Sequence, residues 1–250
     1  LNYNEIEGFK LLAEKHKGHI AAVVMEPLRN TFPEEKFLET IRDITSEENM
    51  VLIFDEITSG FRLNCGGAHL NFGAEPDIAV FGKAISNGFP MAAIIGKERY
   101  MQAAQESFIS STYWTDRVGL AASLTCIKKY MDKEVHLHLN KVGEQIQNGW
   151  KEAAQNAGLD IAVSGIYPLS HFEFRHDKPL VYKTVFTQEM LKENYLATNS
   201  FYASFAHKDK DAEMYLAAVR RVFDRISKNT ENIEEILEGK VCHSGFQRLT

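Results

Sequence analysis

The sequence predicts an α/β fold in which a mainly parallel, doubly wound sheet is followed by a smaller α+β domain. Two short runs, residues 51–54 and 78–81, are rich in β-branched and aromatic residues, as buried strands of parallel sheets are. A charged residue follows each run, Asp55 after the first and Lys83 after the second. Helical patterns alternate with these strands, which indicates right-handed crossovers and hence a doubly wound sheet.

The first half of the chain alternates helices with strands. Apolar residues recur at helical spacing over residues 5–17, and Gly18 marks a helix end. A second helix opens at Pro33, with acidic residues in its first turn that favour the helix dipole. Strands are predicted at residues 20–25, 51–54, 78–81 and 91–95. Residues 56–76 are rich in Gly, Asn and other turn-forming residues, so we expect an irregular loop there.

The second half of the chain begins with helices and then changes in pattern. Residues 118–157 follow a helical pattern that is interrupted near residues 131–133. Beyond Gly158 we expect an α+β arrangement, with strands at residues 161–163 and 171–174 and helices at residues 187–194 and 211–227. The sequence therefore predicts a large domain over residues 1–157, including the connecting helices, and a small C-terminal domain over residues 158–250.

Composition narrows the functional class. Apolar residues make up 44% and charged residues 25% of the chain, which is ordinary for a globular protein. The formal net charge of −6 is scattered, which argues against a nucleic-acid or membrane surface role, and no apolar run approaches the roughly 20 residues of a membrane span. The three cysteines and the histidines show no metal-ligand spacing, so we expect no metal site and free thiols in a reducing, cytoplasmic compartment.

Asp55 and Lys83 together suggest a cofactor-dependent enzyme. Ligands of α/β proteins bind at the carboxyl ends of parallel strands, so an acid and an amine placed there would face one crevice. Pyridoxal phosphate enzymes need both groups: a lysine that holds the aldehyde and a carboxylate that keeps the pyridine nitrogen protonated. The two residues alone leave open a simpler interpretation, a buried Asp–Lys ion pair beside two ordinary strands.

The surrounding motifs favour the enzyme. Residues 55–62 read Asp-Glu-Ile-Thr-Ser-Gly-Phe-Arg, which resembles the Asp-Glu-Val-x-x-Gly-Phe-Arg signature of class III (fold type I) pyridoxal-phosphate aminotransferases. Residues 76–83 resemble the lysine segment of that family, and residues 88–96 resemble the strand and turn after it. Residues 22–27 match the family's strand that ends in Glu-Pro. Within the family, the chain is most similar to glutamate-1-semialdehyde aminomutases and the aminotransferases that resemble them.

The resemblance implies roles for individual residues. Lys83 would form the Schiff base with pyridoxal 5′-phosphate, and Asp55 would hold the pyridinium. Ile57 would pack against one face of the ring, a role compatible with simple core packing. Glu26 would lie at the cofactor's edge, with a buried and satisfied acid as an equal alternative.

A further segment, residues 110–116, resembles the part of the family that reaches the cofactor phosphate of a partner subunit. The resemblance implies that Thr112 and Ser111 bind this phosphate across a homodimer interface. For Thr115 and Asp116, which follow, a helix N-cap is an equally good interpretation.

The expected function is amino transfer between a small-molecule amino donor and a carbonyl acceptor. Glutamate-1-semialdehyde 2,1-aminomutase is one alternative, although residues 196–207 lack the glutamate that aminomutases carry there. Another is an inactive fragment or dimerisation module. Family members are typically longer, and we expect a preceding segment to supply a Gly-Ser/Thr turn for the cofactor phosphate and an aromatic residue that stacks on the ring.

Overall fold

The structure, a computed structural model, describes residues 1–28, 30–110, 112 and 115–245. It divides into two compact units, Leu1–Leu137 and His138–Thr250. The helix Val135–Ala157 lies mainly in the second unit, so the chain is divided well before residue 157. The domain division after residue 157 therefore stays a prediction. In the described part of the chain, no helix is both long and apolar enough to cross a membrane.

A four-stranded sheet organises the first unit. Its strands are β1 (Ala22–Met25), β2 (Val51–Asp55), β3 (Ile78–Phe81) and β4 (Ala93–Gly96). The strand order is β1-β2-β3-β4, with the first three strands parallel and β4 antiparallel to β3. The predicted mainly parallel sheet is thereby confirmed. The carboxyl ends of β1, β2 and β3 lie at one edge, because parallel strands share their direction.

The helices of the first unit are α1 (Ile6–Lys15), α2 (Phe37–Glu47), the short α3 (Glu98–Met101) and α4 (Arg117–Asp132). Helix α5 (Val135–Ala157) follows and lies mainly in the second unit. One core cluster joins Phe9 of α1 and Leu38 and Ile41 of α2 to Leu52 and Phe54 of β2. These core contacts bury the apolar face of α2 that its helical spacing indicates.

The break between α4 and α5 falls where the sequence predicts it.

A buried carboxylate fixes one end of the β3–β4 pair, where β3 begins and β4 ends. Asp77, which precedes β3, is 1% exposed and accepts hydrogen bonds from Arg42 of α2 (2.9 Å), Lys97 after β4 (3.1 Å) and the Leu52 backbone amide of β2 (3.0 Å). Burial by itself raises the pKa of Asp77, but these donors outweigh it and hold the pKa below its usual value. One side chain thus ties a helix to three strands.

The second unit packs three helices, one of them α5, against a small antiparallel sheet. Its other elements are β5 (Ile161–Ser164), β6 (Leu169–Phe174), α6 (Pro179–Lys192), β7 (Ser200–Tyr202) and α7 (Asp209–Ser227). The strand order is β5-β6-β7. Phe172 of β6 lies at the centre of the core, with ring centroids 4.8 Å from Trp150, 5.1 Å from Phe186 and 5.7 Å from Phe223.

Two elements of this unit differ from the prediction. Helix α6 begins at Pro179, well before the expected start at residue 187. Its first turns are rich in β-branched and aromatic residues that favour strands. Proline at the first helical position and burial on several sides stabilise the helix there instead. Strand β7 was not predicted, because its three residues are too short for a recognisable alternation.

Glu189 of α6 is a second buried carboxylate, 2% exposed. Its Oε1 accepts hydrogen bonds from Lys192 and Gln188, each at 2.8 Å, and its Oε2 accepts one from Arg225. Burial raises the pKa of Glu189, but these three donors together lower the pKa to about 2. Because the folded pKa lies below the unfolded one, the charged carboxylate stabilises the fold above the unfolded pKa, and this stabilisation is lost as pH falls.

We predict that Glu189→Gln lowers the free energy of unfolding at pH 7 by about 2–3 kcal/mol, because it removes a buried charge that three donors solvate. The deficit should shrink as the pH falls from 4.5 towards about 2. Urea unfolding at pH 7 and at successively lower pH measures both effects. Glu213→Gln, at an exposed position on α7, is the control, with a change of at most about 0.5 kcal/mol. A deficit independent of pH would contradict this assignment.

Candidate active site

Lys83 follows β3 by two residues. Its backbone is in the left-handed region (φ +45°), which a residue other than glycine adopts only at a cost of about 1 kcal/mol. The hydrogen bond from the Ile85 amide to the Gly82 carbonyl (3.1 Å) closes the turn around it. The side chain is exposed, and its Nζ donates a hydrogen bond to Thr58 Oγ1 at 2.8 Å. Lys83 is therefore not the ion-pair partner of Asp55 in this structure.

Asp55 is the last residue of β2 and is half-buried. It pairs in register with Val80 of the neighbouring β3, so it lies at the same edge of the sheet as the turn that carries Lys83. Its Oδ1 accepts a hydrogen bond from the Ile57 amide at 2.9 Å. Among the described residues, Oδ2 accepts none, which leaves it able to bind a protonated ring nitrogen.

Glu26 leaves the sheet beside Asp55. Met25, the last residue of β1, pairs in register with Phe54, so the next residues of the two strands are neighbours. The Glu26 side chain is half-buried, which is compatible with either role that the sequence analysis left open.

Ile57 lies against the glycine that precedes the lysine. A methyl group added to Gly82 would approach the Ile57 Cγ2 atom to 3.3 Å. That distance is tighter than ordinary van der Waals contact, so glycine lets the chain before Lys83 pass close to the Ile57 side chain. The structure thus brings Asp55, Ile57 and Lys83 together on two adjacent strand ends.

A buried carboxylate, that of Glu56, anchors the loop after β2. The sequence predicts no catalytic role for this residue. Glu56 is fully buried and accepts hydrogen bonds from Ser59 Oγ (2.6 Å), the His69 amide (3.0 Å) and His69 Nδ1 (2.7 Å). Burial raises the pKa of Glu56, but the bonds from His69 and Ser59 outweigh it and lower the pKa. No sequence signal links Glu56 to His69, since irregular loop separates them.

Thr58 is the residue that sequence reasoning missed. Its hydroxyl contacts the Lys83 amine, and its carbonyl accepts a hydrogen bond from Arg62 Nε at 3.4 Å. The family signature allows any residue at position 58, so the motif gave no reason to assign a role to Thr58.

Only part of the segment expected to bind phosphate, residues 110–116, is among the described residues. Thr112 is exposed, and nothing in the described structure brings it to Lys83. Ser111 lies outside the described residues. Asp116 caps α4, because its Oδ1 accepts a hydrogen bond from the Val118 amide at 2.8 Å. The roles of Thr112 and Ser111 across a dimer stay predictions.

The groups gathered at this edge fit a pyridoxal-type cofactor. A primary amine, a carboxylate with one oxygen unused and an apolar side chain lie on neighbouring strand ends, where doubly wound folds bind ligands. Among the described residues, no cluster of His, Cys, Asp or Glu could hold a metal ion. The fold and the site are those of the α/β class that binds a cofactor at the carboxyl ends of parallel strands.

The chain belongs to the class-III aminotransferases, since the sequence profile described as "Aminotransferase class-III" matches residues 2–181. The enzymes of this family depend on pyridoxal phosphate. The resemblance found in the signature motifs is therefore confirmed.

Individual relatives agree with this assignment. The chain is 28% identical to the 3-aminobutyryl-CoA aminotransferase of Cloacimonas acidaminovorans over 91% of its own length and 58% of the relative. It is 31% identical to the glutamate-1-semialdehyde 2,1-aminomutase of Methanococcoides burtonii, over 86% of its length and 56% of the relative. The chain thus spans little more than half the length of these relatives.

Solved structures share the fold. The FumI protein of Sphingopyxis sp. MTA144, in its PLP internal aldimine form, superposes with a TM-score of 0.87 at 24% identity, covering 92% of this chain and 58% of that one. An omega-transaminase from Sphaerobacter thermophilus gives a TM-score of 0.82 at 25% identity, covering 91% and 57%. The predicted fold type I architecture is confirmed.

We predict that Gly60→Ala destabilises the loop that carries Thr58. The added methyl group would lie 2.7 Å from both the Glu56 carbonyl oxygen and the Phe81 ring, so backbone or ring must move. The expected loss in the free energy of unfolding is about 1–3 kcal/mol. Urea denaturation measures it, with Gly239→Ala as the control, because nothing lies within 4 Å of the methyl group there. Equal unfolding midpoints for the two variants would show that the loop tolerates the methyl group.

Proposed function

We propose that this chain carries the lysine-bearing part of a pyridoxal-phosphate-dependent aminotransferase, which moves an amino group from a small-molecule donor to a carbonyl acceptor. The observation that carries the proposal is that Asp55 and the turn of Lys83 leave neighbouring parallel strands at one edge of the sheet. Family membership supports it. Because the chain covers 58% of its aminobutyryl-CoA relative, the activity of the whole protein is part of the proposal.

When bound, pyridoxal phosphate supplies an aldehyde that condenses with amines and a ring that accepts electrons from the substrate's α-carbon. Lys83 Nζ would hold the aldehyde carbon and, as a free amine, would move a proton between the substrate Cα and the cofactor C4′. Asp55 Oδ2 would hold the proton on the pyridine nitrogen, which would strengthen the electron demand of the ring.

The other site residues orient the cofactor. Ile57 would pack against one face of the ring, and Glu26 would form hydrogen bonds at its edge. Thr112 and Ser111 would bind the phosphate of the partner subunit's cofactor. The thiols of Cys65, Cys126 and Cys242 are unpaired, which supports a reducing compartment and hence the cytoplasm.

We predict that Lys83→Arg abolishes the absorbance band that pyridoxal phosphate forms with the protein, because guanidinium cannot bind the aldehyde carbon as an amine does. Borohydride reduction and peptide mapping should fix the cofactor on Lys83 in the wild type and nowhere in the variant. Lys210→Arg, at an exposed position on α7, keeps the band. The spectra are recorded for residues 1–250 and for the whole protein. If the band is absent from both, the enzyme proposal is refuted and the dimerisation module is favoured.

The homodimer is part of the same proposal. Leu120, Leu124 and Met131 lie on one face of α4 at helical spacing and are 50%, 73% and 61% exposed. Upstream of this helix, Phe108 is 97% exposed and Ile109 54% exposed. Monomeric proteins rarely expose a large apolar patch, so the row of apolar residues on α4 supports an interface with a second copy.

We predict that Leu124→Glu converts the dimer to a monomer, because burying an unpaired carboxylate in an apolar interface costs several kcal/mol. Size-exclusion chromatography with light scattering gives the mass. Leu191→Glu, which changes a 57% exposed leucine on α6, is the control and should leave the mass unchanged. A variant that remains dimeric would rule out this face of α4 as the interface.

Glutamate-1-semialdehyde 2,1-aminomutase remains the second candidate, because curated aminomutases are 30–31% identical to the chain. An aminomutase moves the amino group within one substrate, whereas an aminotransferase needs an external acceptor. Turnover of glutamate-1-semialdehyde without any added keto acid would favour the aminomutase. Conversion of the cofactor to its amine form by a separate donor, followed by release to a keto acid, would favour the aminotransferase.

A further inference from the structure

The hydroxyl of Thr58 is the hydrogen-bond partner of the Lys83 amine. The distance from Lys83 Nζ to Thr58 Oγ1 is 2.8 Å, and among the described residues the amine makes no other hydrogen bond. Thr58 is 8% exposed, whereas the lysine side chain is exposed. A long side chain at the surface samples many rotamers, so one buried acceptor at its tip restricts it to a single arrangement.

The turn that carries Thr58 is held by its neighbours. The Gly60 amide donates to the Glu56 carbonyl at 2.8 Å, and Ser59 Oγ donates to the Glu56 carboxylate at 2.6 Å. The carboxylate is in turn held by two bonds from His69. Threonine is β-branched, so its χ1 rotamers are few. The hydroxyl therefore has a fixed position on the same turn that begins at Asp55.

We propose that Thr58 is a positioning residue that receives Lys83 Nζ each time an incoming amine displaces it, and that holds Nζ within reach of the substrate's α-carbon. This inference rests on the proposed function. In the exchange, the bond from the aldehyde carbon to Nζ breaks, a bond to the incoming nitrogen forms, and the two hydrogens of the incoming amine end on Nζ. A hydroxyl suits this role because it accepts a hydrogen bond from N–H and donates one to a neutral amine.

The test compares Thr58→Val, which removes the hydroxyl at nearly constant shape, with Thr58→Ser, which keeps it. Cofactor-free protein is mixed with pyridoxal phosphate, and the rate at which the absorbance band forms is followed by stopped flow. We expect Thr58→Val to slow this rate about tenfold, because the free amine is no longer oriented, and Thr58→Ser to stay within about twofold of the wild type. Thr45→Val is the matched control: this threonine is also buried, but its hydroxyl bonds to the Ile41 and Arg42 carbonyls of its own helix.

A second readout separates positioning from binding. In the half-reaction with an amino donor, Thr58→Val should lower the maximal rate about tenfold and leave the half-saturating donor concentration unchanged, with serine restoring the rate. Thermal melting checks the fold, and Thr58→Ala removes the hydroxyl in a second way if the valine variant unfolds. Wild-type rates in both hydroxyl-free variants would overturn the role of Thr58 alone. Absence of any band in the wild type would overturn the proposed function and this inference with it.

Discussion

Because β2 and β3 run parallel and pair Asp55 with Val80, the residues that follow the two strands leave the sheet at one edge. This pairing places a carboxylate and a lysine that are distant in sequence in the same part of the molecule. A slip of one residue in register would turn Asp55 to the opposite face of the sheet and separate it from its neighbours in the site. The chemistry proposed for Lys83 therefore depends first on backbone hydrogen bonding and only then on side chains.

Buried carboxylates hold both edges of the sheet. Glu56 joins the turn after β2 to His69 at the edge of the site, and Asp77 joins α2, β2 and the end of β4 at the opposite edge. Removing a carboxylate from water is costly, and each of these two offsets the cost with at least three donors. At the site itself, Glu56 holds the turn that carries Thr58, and the Thr58 hydroxyl accepts a hydrogen bond from the exposed Lys83 amine. A fixed acceptor of this kind suits the role proposed for Lys83.

Local pattern was sufficient to predict the central elements of the fold. The apolar runs of β2 and β3 are continuous and short, and the charged residues after them identified Asp55 and Lys83. Local pattern was misleading for α6, where β-branched and aromatic residues hide a helix that is buried on several sides. Local pattern also did not predict the contact of Thr58 with Lys83. A variable position in a motif carries no information about which side chain the residue there will contact.

The sequence by itself determined the order of strands β1 to β4, the family and the two residues expected to meet the cofactor, because each of these depends on contiguous stretches of the chain. Only the tertiary structure decided that Thr58 hydrogen-bonds Lys83 and that His69 holds Glu56, and it chose the helix cap for Asp116. The first two contacts join residues separated by irregular loop. Their formation depends on where the parallel sheet places each strand end, which no local pattern encodes.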